Sequence, residues 1–431
     1  MRQVQRFNAV ILPVALTIGA MGLARQANAA GLMVWEIGTP SLGTAGAGWA
    51  AMPEDASTAY TNPAGTVWRE GTQLMASGQL LYGNLEFSDG GESNVPGNDG
   101  GNAIEWFPGG GFFAAGRFSD RIGWGFAMAG NFGGVLDYGK NWQGRRFVTE
   151  TSLIGMSLLP SLSWKASDCL SIGLGLNVMG AYYKYESRPR AGLAGGDARL
   201  KYDDKDIGYG GNLGIIYKPT AATTLGLSYT SRVDWEFRDD LRLDGFGPLF
   251  TRLVERLDGA RTGFDMNAPQ TLTISMQQHL TASTTVYANA NWQEWSEFGL
   301  IGFRIDNPNQ TSVTIDREYD DSWHGALGVR HQYRTGTLAG WALSAGIAYD
   351  SSIEDLSSRT ADVVVDKQWR LGLGARKELC PGLRLDVGYT LVWMGDVPID
   401  QEGGPPFSPR LQGSYDDYSL NFFGGSIQFD L

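Results

Sequence analysis

From about residue 72 onward the chain alternates with a period of two. In the run from Leu170 to Val178, the residues Leu170, Ile172, Leu174, Leu176 and Val178 are apolar, while Ser171, Gly173, Gly175 and Asn177 stand between them. Trp369, Leu371, Leu373 and Ala375 share one parity and Arg370 and Arg376 the other; Leu383 to Leu391 repeats the pattern with Arg384 and Asp386 on the polar side. Successive side chains of a strand point to opposite faces, so these segments are strands with one apolar face. A helix would scatter the same residues around its axis. Glycine agrees: 60 of 431 residues is costly in helix interiors.

The pattern predicts fourteen strands, near 72–88, 109–119, 121–131, 151–166, 168–187, 204–218, 222–239, 269–280, 283–305, 322–334, 338–351, 367–379, 382–396 and 415–430. Their joins alternate in length. Short ones fall at Ser119–Arg121, Ala166–Asp168, Lys218–Ala221, Leu280–Ser283, Arg334–Thr337 and Leu379–Gly382; long ones fall near 89–108, 132–150, 188–203, 240–268, 306–321, 352–366 and 397–414. A water-soluble sandwich has no reason to sort its loops by length onto one end. An even number of strands with short turns on one side and long loops on the other is the plan of an outer-membrane barrel, whose apolar faces meet lipid.

The N-terminus fits export. Arg2 and Arg6 precede the apolar run Ala9 to Leu23, then Ala27-Asn28-Ala29 offers a small-residue cleavage site, so residues 1–29 are expected to be a signal peptide. The barrel is expected over 72–431, with a final strand carrying Phe423, Ile427, Phe429 and Leu431 on its lipid side. The 34 Lys and Arg against 46 Asp and Glu leave a net charge of −12, the wrong sign for a nucleic-acid binder. Acidic outer loops keep the exposed end soluble and are candidates to meet lipopolysaccharide through divalent cations. His279, His324 and His331 show no metal-ligand spacing and no pairing with a nucleophile, so neither an enzyme, a metal site nor a cofactor is expected. Cys169 and Cys380 fall in turns predicted to lie about eight strands apart, too far for a disulfide.

Residues 30–71 break the alternation with Gly43, Gly46 and Gly48 among alanines, then Pro53 and the run Tyr60 to Gly65. Such a segment cannot span a bilayer, but it can fill the lumen of a fourteen-stranded barrel, which lies between side-chain-filled and open sizes. The run Gly43 to Ala51, the run Asp55 to Ala59 and above all Asn62-Pro63-Ala64-Gly65 resemble the N-terminal hatch of the FadL-type long-chain fatty-acid outer-membrane transporters, a family that includes aromatic-hydrocarbon uptake proteins. The resemblance continues in Ala268-Pro269, Asn291-Trp292, Trp295-Ser296, Phe298, Asp321, Trp323 and Ala345-Gly346 to Asp350. It implies an all-β transmembrane antiparallel barrel of about fourteen strands with residues 30–71 as a plug, acting without catalysis.

The resemblance further implies that Asn62, Pro63 and Ala64 sit against a kink in the third strand formed by Gly130, Asn131, Phe132 and Gly133, where an apolar ligand leaves sideways into the membrane. Read from residues alone, Asn-Pro is a turn initiator and paired glycines in a strand mark a bulge. Phe246, Leu249, Phe250, Leu253 and Leu257 follow a helical stripe in the long join at 240–268. That stripe is either a lid packing on its own barrel or, as the family implies, an apolar groove that captures ligand at the cell surface. Arg188 and Arg190 in the preceding loop are candidates for pairing with a ligand carboxylate, as are the lumen-facing Arg370, Arg376 and Arg384, unless these pair with neighbouring acids. The function expected is passive uptake of hydrophobic compounds, long-chain fatty acids first and aromatic or alkane hydrocarbons as the alternative. A general porin or surface adhesin is the competing class. A monomer is expected.

Overall fold

The computed structural model describes residues 32–192, 195–247, 261–305, 311–404 and 408–431. Its strands, in chain order, are β1 (Thr72–Asp89), β2 (Trp106–Ser119), β3 (Ile122–Asp137), β4 (Glu150–Ser167), β5 (Leu170–Ser187), β6 (Arg199–Thr220), β7 (Thr223–Thr230), β8 (Val233–Asp240), β9 (Arg242–Asp244), β10 (Arg261–Ala268), β11 (Thr271–His279), β12 (Thr284–Gln293), β13 (Leu300–Ile305), β14 (Thr311–Asp316), β15 (Ser322–Gln332), β16 (Trp341–Asp350), β17 (Gln368–Cys380), β18 (Leu383–Glu402) and β19 (Arg410–Asp430). Fourteen of them, β1–β7, β11, β12 and β15–β19, pair each with the next, and β19 returns to β1. Every pairing is antiparallel and the wall is closed, which leaves no free edge at its seam.

The alternation resolves as the sequence implies. Leu174 and Leu373 are 64% and 61% exposed on the outside, whereas Ser171 and Arg370 beside them are buried inside. Trp323, Trp369 and Trp393 lie on the outer surface toward the long-loop end, where Trp369 stands opposite Trp393 in the ladder, as an aromatic girdle at the lipid–water boundary does. Cys169 and Cys380 are free thiols in short turns.

Two expected strands prove to be composite. The segment 222–239 leaves the wall after Thr230, and β8 joins β10, β13 and β14 in a separate four-stranded sheet above the barrel. The segment 283–305 likewise ends as a wall strand at Gln293, turns through a one-turn helix at Trp295–Phe298 and enters the upper sheet as β13. Alternation persists through both breaks, but the apolar face changes partner. Leu225 faces outward, whereas Val233, Trp235 and Phe237, of the same parity, are buried in a cluster with Phe132, Trp295 and Phe298 that caps the lumen. Of the apolar stripe in the long join, Phe246 packs on this cluster; Leu249, Phe250, Leu253 and Leu257 lie outside the described residues, as does the expected signal peptide at 1–29.

Residues 35–67 lie inside the wall and are nearly all buried. Wall glycines on the lumen side make the room. A Cβ on Gly173 would come 2.3 Å from the Ala64 nitrogen, one on Gly226 would come 2.0 Å from the Ala50 carbonyl oxygen, and one on Gly346 would come 2.1 Å from that of Thr44. The abundant glycine therefore has a second cause besides strand chemistry: the segment packs backbone against backbone on the wall.

Candidate functional site: an apolar cavity behind a break in the wall

The wall is interrupted between β2 and β3. Their ladder runs from Ser119 opposite Ile122 up to Gly111 opposite Ala129 and stops. Above it, Trp106 to Gly110 still pair with β1, and Gly130 to Asp137 pair with β4, but not with each other. The cause is local sequence. Asn131 is an extra residue between the pairs Gly130–Met156 and Phe132–Gly155, which bends β3 away. Gly133 then takes φ of 113°, and a Cβ there would lie 1.7 Å from the Leu153 carbonyl oxygen, so only glycine fits.

Residues Leu32 to Val34 cover the freed edge from within. The Val34 N–H donates to the Asn131 carbonyl at 3.0 Å, the Gly133 N–H donates to the Leu32 carbonyl at 2.8 Å, and Met33 bridges Phe132. Higher up, Ala103 spans the break, donating to the Leu85 carbonyl at 2.9 Å and accepting from the Asp137 N–H at 3.0 Å.

Behind the break lies a cavity of about 290 Å³. Phe107 to Gly109 and Gly130 to Leu136 form its wall side, Leu32 to Val34 its floor, and Val363 to Val365 of the loop between β16 and β17 part of its roof. Its charged groups are few and paired. Arg317 reaches Asp362 at 2.6 Å and also donates to Thr360 Oγ1 at 3.0 Å. Burial opposes the charge on Asp362, and the Arg317 guanidinium overrides it, holding the carboxyl below the usual carboxylate range. Arg370 donates to Glu36 at 2.6 Å and to Asp350 at 2.5 Å, and Asp350 also accepts from His324 Nδ1 at 2.7 Å. In the roof loop, burial pushes Glu354 up to about 8 even with Arg359 at 3.0 Å.

Below the floor is a second, smaller space of about 60 Å³, lined by Asn131, Ser157, Asn177, Asn212, Thr273, Asn291 and Gln293. It has room for about two waters and buried amide oxygens to hold them. Met33 and Val34 line both spaces and separate the apolar one from the polar one.

The sequence-predicted residues divide. Gly130 to Gly133 form the wall break. Asn62 to Ala64 do not meet it; they pack against β5, β6 and β7, where Asn62 Nδ2 donates to the carbonyls of Ala50 (2.7 Å), Ile215 (3.2 Å) and Leu227 (3.2 Å). The reason is steric: Gly173 and Gly214 leave the opening into which the tripeptide fits, while β3 at its bend presents backbone groups that Leu32 to Val34 already satisfy. Arg188 pairs with Glu186 at 3.4 Å and Arg190 donates to the Gly192 carbonyl at 3.0 Å; neither lines the cavity, nor does Phe246. Arg376 pairs with Asp386 (2.5 Å) and Asp55 (3.2 Å), and Arg384 lies 3.5 Å from Asp430, so the lumen arginines answer neighbouring acids. Sequence reasoning missed Leu32 to Val34, Glu36, Arg317 and Asp362; their only common signal is that they flank recognisable elements.

The chain matches the family model described as outer membrane protein transport protein (OMPP1/FadL/TodX) over residues 20–423. It belongs to this family. Among relatives, outer membrane protein P1 of Haemophilus influenzae is 24% identical with 90% of each chain covered, and the long-chain fatty acid transport protein of Escherichia coli O6:H1 is 24% identical with 95% of this chain and 97% of the relative covered. Among solved structures, a Pseudomonas aeruginosa FadL homologue superposes with a TM-score of 0.83 at 22% identity over 93% of this chain and 100% of the other; the Ralstonia pickettii toluene transporter TbuX gives 0.65 at 14% over 92% and 99%. The protein is therefore an outer-membrane β-barrel of a Gram-negative bacterium, a non-enzymatic channel for hydrophobic compounds. In this OMPP1/FadL/TodX-type barrel the long loops and upper sheet face outside and the short turns face the periplasm.

Proposed function

We propose that this transporter takes up long-chain fatty acids passively: the outer loops collect the ligand, the cavity beneath the roof loop holds it, and it leaves sideways between β2 and β3 into the bilayer. One observation carries this reading. The apolar cavity adjoins the stretch where β2 and β3 lose their ladder, which among the described residues Leu32 to Val34 cover by backbone bonds to β3 and Ala103 spans higher up. The alternative route, straight down, passes Met33 and Val34 into a smaller space where Asn131, Asn177, Asn212 and Gln293 stand beside Trp35, Trp49 and Leu159, a more polar lining than that of the cavity above and so a less favourable one for an alkyl chain. Each methylene kept out of water is worth about 0.8 kcal/mol, so a continuous apolar path from cavity to lipid favours the lateral exit. Ligand binding acts by shifting hatch conformations, residues 30–71 being the hatch and Asn62 to Ala64 its anchor. The name of the Escherichia coli relative supports fatty acid as the cargo.

A second reading, uptake of aromatic or alkane hydrocarbons by the same path, is favoured by the pairing of Arg317 and Arg370 with acids, which leaves neither guanidinium waiting for a carboxylate. Gly130→Phe tests the route. A Cβ at Gly130 meets nothing within 4 Å, so the backbone there accepts a side chain, and it stands at the break. Retained ligand binding with lost uptake in a complemented deletion strain supports the lateral path; unchanged uptake rules it out.

A further inference from the structure

The cavity holds two hydrogen-bond acceptors that no group among the described residues answers. Glu36, 3% exposed, gives Oε1 to Arg370, while its Oε2 is buried without a partner among the described residues. Gln79 of β1 lines the same cavity, and its Oε1 is likewise buried with no donor. The nearby cation is committed elsewhere: Arg370 gives Nε to Asp350 at 2.5 Å and Nη2 to Gln368 at 2.9 Å. On the far side Arg317 is bound to Asp362, Thr360 and Tyr319. Arg317 and Arg370 stand against Glu36, Asp350 and Asp362, two guanidiniums against three carboxyl groups. Tyr183 and Tyr418 also line the cavity, Glu354 stands in its roof loop, and His324 is bonded to Asp350 and stacked on Trp35 at 4.4 Å.

A carboxylate anion brings only acceptors and a second negative charge to such a place. A hydroxyl brings a proton to share. We propose that the cavity selects apolar molecules ending in a hydrogen-bond donor, an alcohol, a phenol or an undissociated carboxylic acid, whose O–H is received by Glu36 Oε2 or by Gln79 Oε1, and that it discriminates against the carboxylate anion. This inference rests on the reading of the cavity as the ligand site and specifies the form of cargo it takes. Buried acceptors left empty are costly, and filling one adjacent to a charge is among the stronger hydrogen bonds available.

Calorimetric titration of the detergent-solubilised protein with lauryl alcohol, lauryl methyl ether and laurate tests it. The ether keeps the chain and the oxygen but has no proton to give. The alcohol should bind at least about tenfold tighter than the ether, and Gln79→Leu should narrow that ratio severalfold. Laurate should bind more tightly as pH falls from about 8 toward about 5, while the alcohol, which does not titrate, reads any effect of the protein's own groups, Glu354 of the roof loop among them, over the same range. Glu36→Gln, whose amide can donate, should improve laurate binding at the upper end of that range. Equal binding of alcohol and ether, or laurate that binds best when ionised, overturns the selection while leaving the cavity as the ligand site. If none of the three binds, the cavity reading falls and the selection with it.

Discussion

Asn62 Nδ2 lies 2.7 Å from the carbonyl oxygen of Ala50, and the same amide reaches the wall carbonyls of Ile215 and Leu227. One side chain thereby closes a loop of the hatch on itself and fastens it to two strands. Asn62→Ala leaves buried carbonyls without donors and should cost about 1–3 kcal/mol of hatch stability. Hydrogen exchange of residues 50–66 reads it: protection should drop there, while the wall amides of β17 and β18 stay protected.

The glycine-lined wall makes a steric prediction. A Val at Gly226 puts its Cβ 2.0 Å from the Ala50 carbonyl oxygen, a contact that backbone cannot yield to without moving. Gly226→Val should expel the hatch from its seat and turn a closed barrel into a conducting one. Single-channel recording in a planar bilayer should show steady ion current for the variant and little for the parent, with heat-dependent gel mobility confirming that the barrel itself is intact.

Arg376 pairs within the wall with Asp386 of β18 at 2.5 Å and reaches the hatch acid Asp55 at 3.2 Å, while Arg330 holds the hatch acid Glu54 at 2.5 Å. Arg376→Met strands two buried carboxylates and should cost about 3–5 kcal/mol. Urea titration of the folded barrel in detergent should locate that loss, and a double variant that also carries Asp386→Leu should recover part of it.

The roof loop should loosen in alkali. Glu354 has a folded-state pKa of about 8 against an ordinary 4.5, so the packed loop keeps a proton that the opened loop releases. Its contribution is complete below the lower value and declines as pH rises toward the upper one. Exchange protection across residues 351–367 should fall over that window, and Glu354→Gln should make it flat. Protection that instead rises with pH would contradict the assignment.

Most of the wall could be read from the chain because a lipid-facing strand must alternate. Leu371 and Leu373 have to meet bilayer, and nothing else in the sequence competes with that demand. The same rule explains the failures at 222–239 and 283–305. Trp235 and Phe237 continue the parity of Leu225, but their apolar side meets Phe132 and Trp295 instead of lipid, and alternation does not say which solvent a face will find. The bulge at Gly130 to Gly133 was legible through its glycines, and the break in the wall there only through the family resemblance. Its closure by Leu32 to Val34 was not, since an added strand recognised only through backbone groups places no demand on side-chain identity. Arg317 and Asp362 were invisible for another reason: they come from loops separated in sequence and acquire meaning only as a pair across the cavity.

The junction of β1 with β19 carries an implication for biogenesis. The Ala56 N–H donates to Gln428 Oε1 at 3.2 Å, and Thr72 exchanges backbone bonds with Leu431. Residues made early thus have permanent neighbours 372 positions further along the chain. The cork cannot be seated ahead of the cask: its docking must wait for the final staves, and whatever escorts this polypeptide across the periplasm has to keep an alanine- and glycine-rich leader from settling elsewhere until the ring is zipped shut.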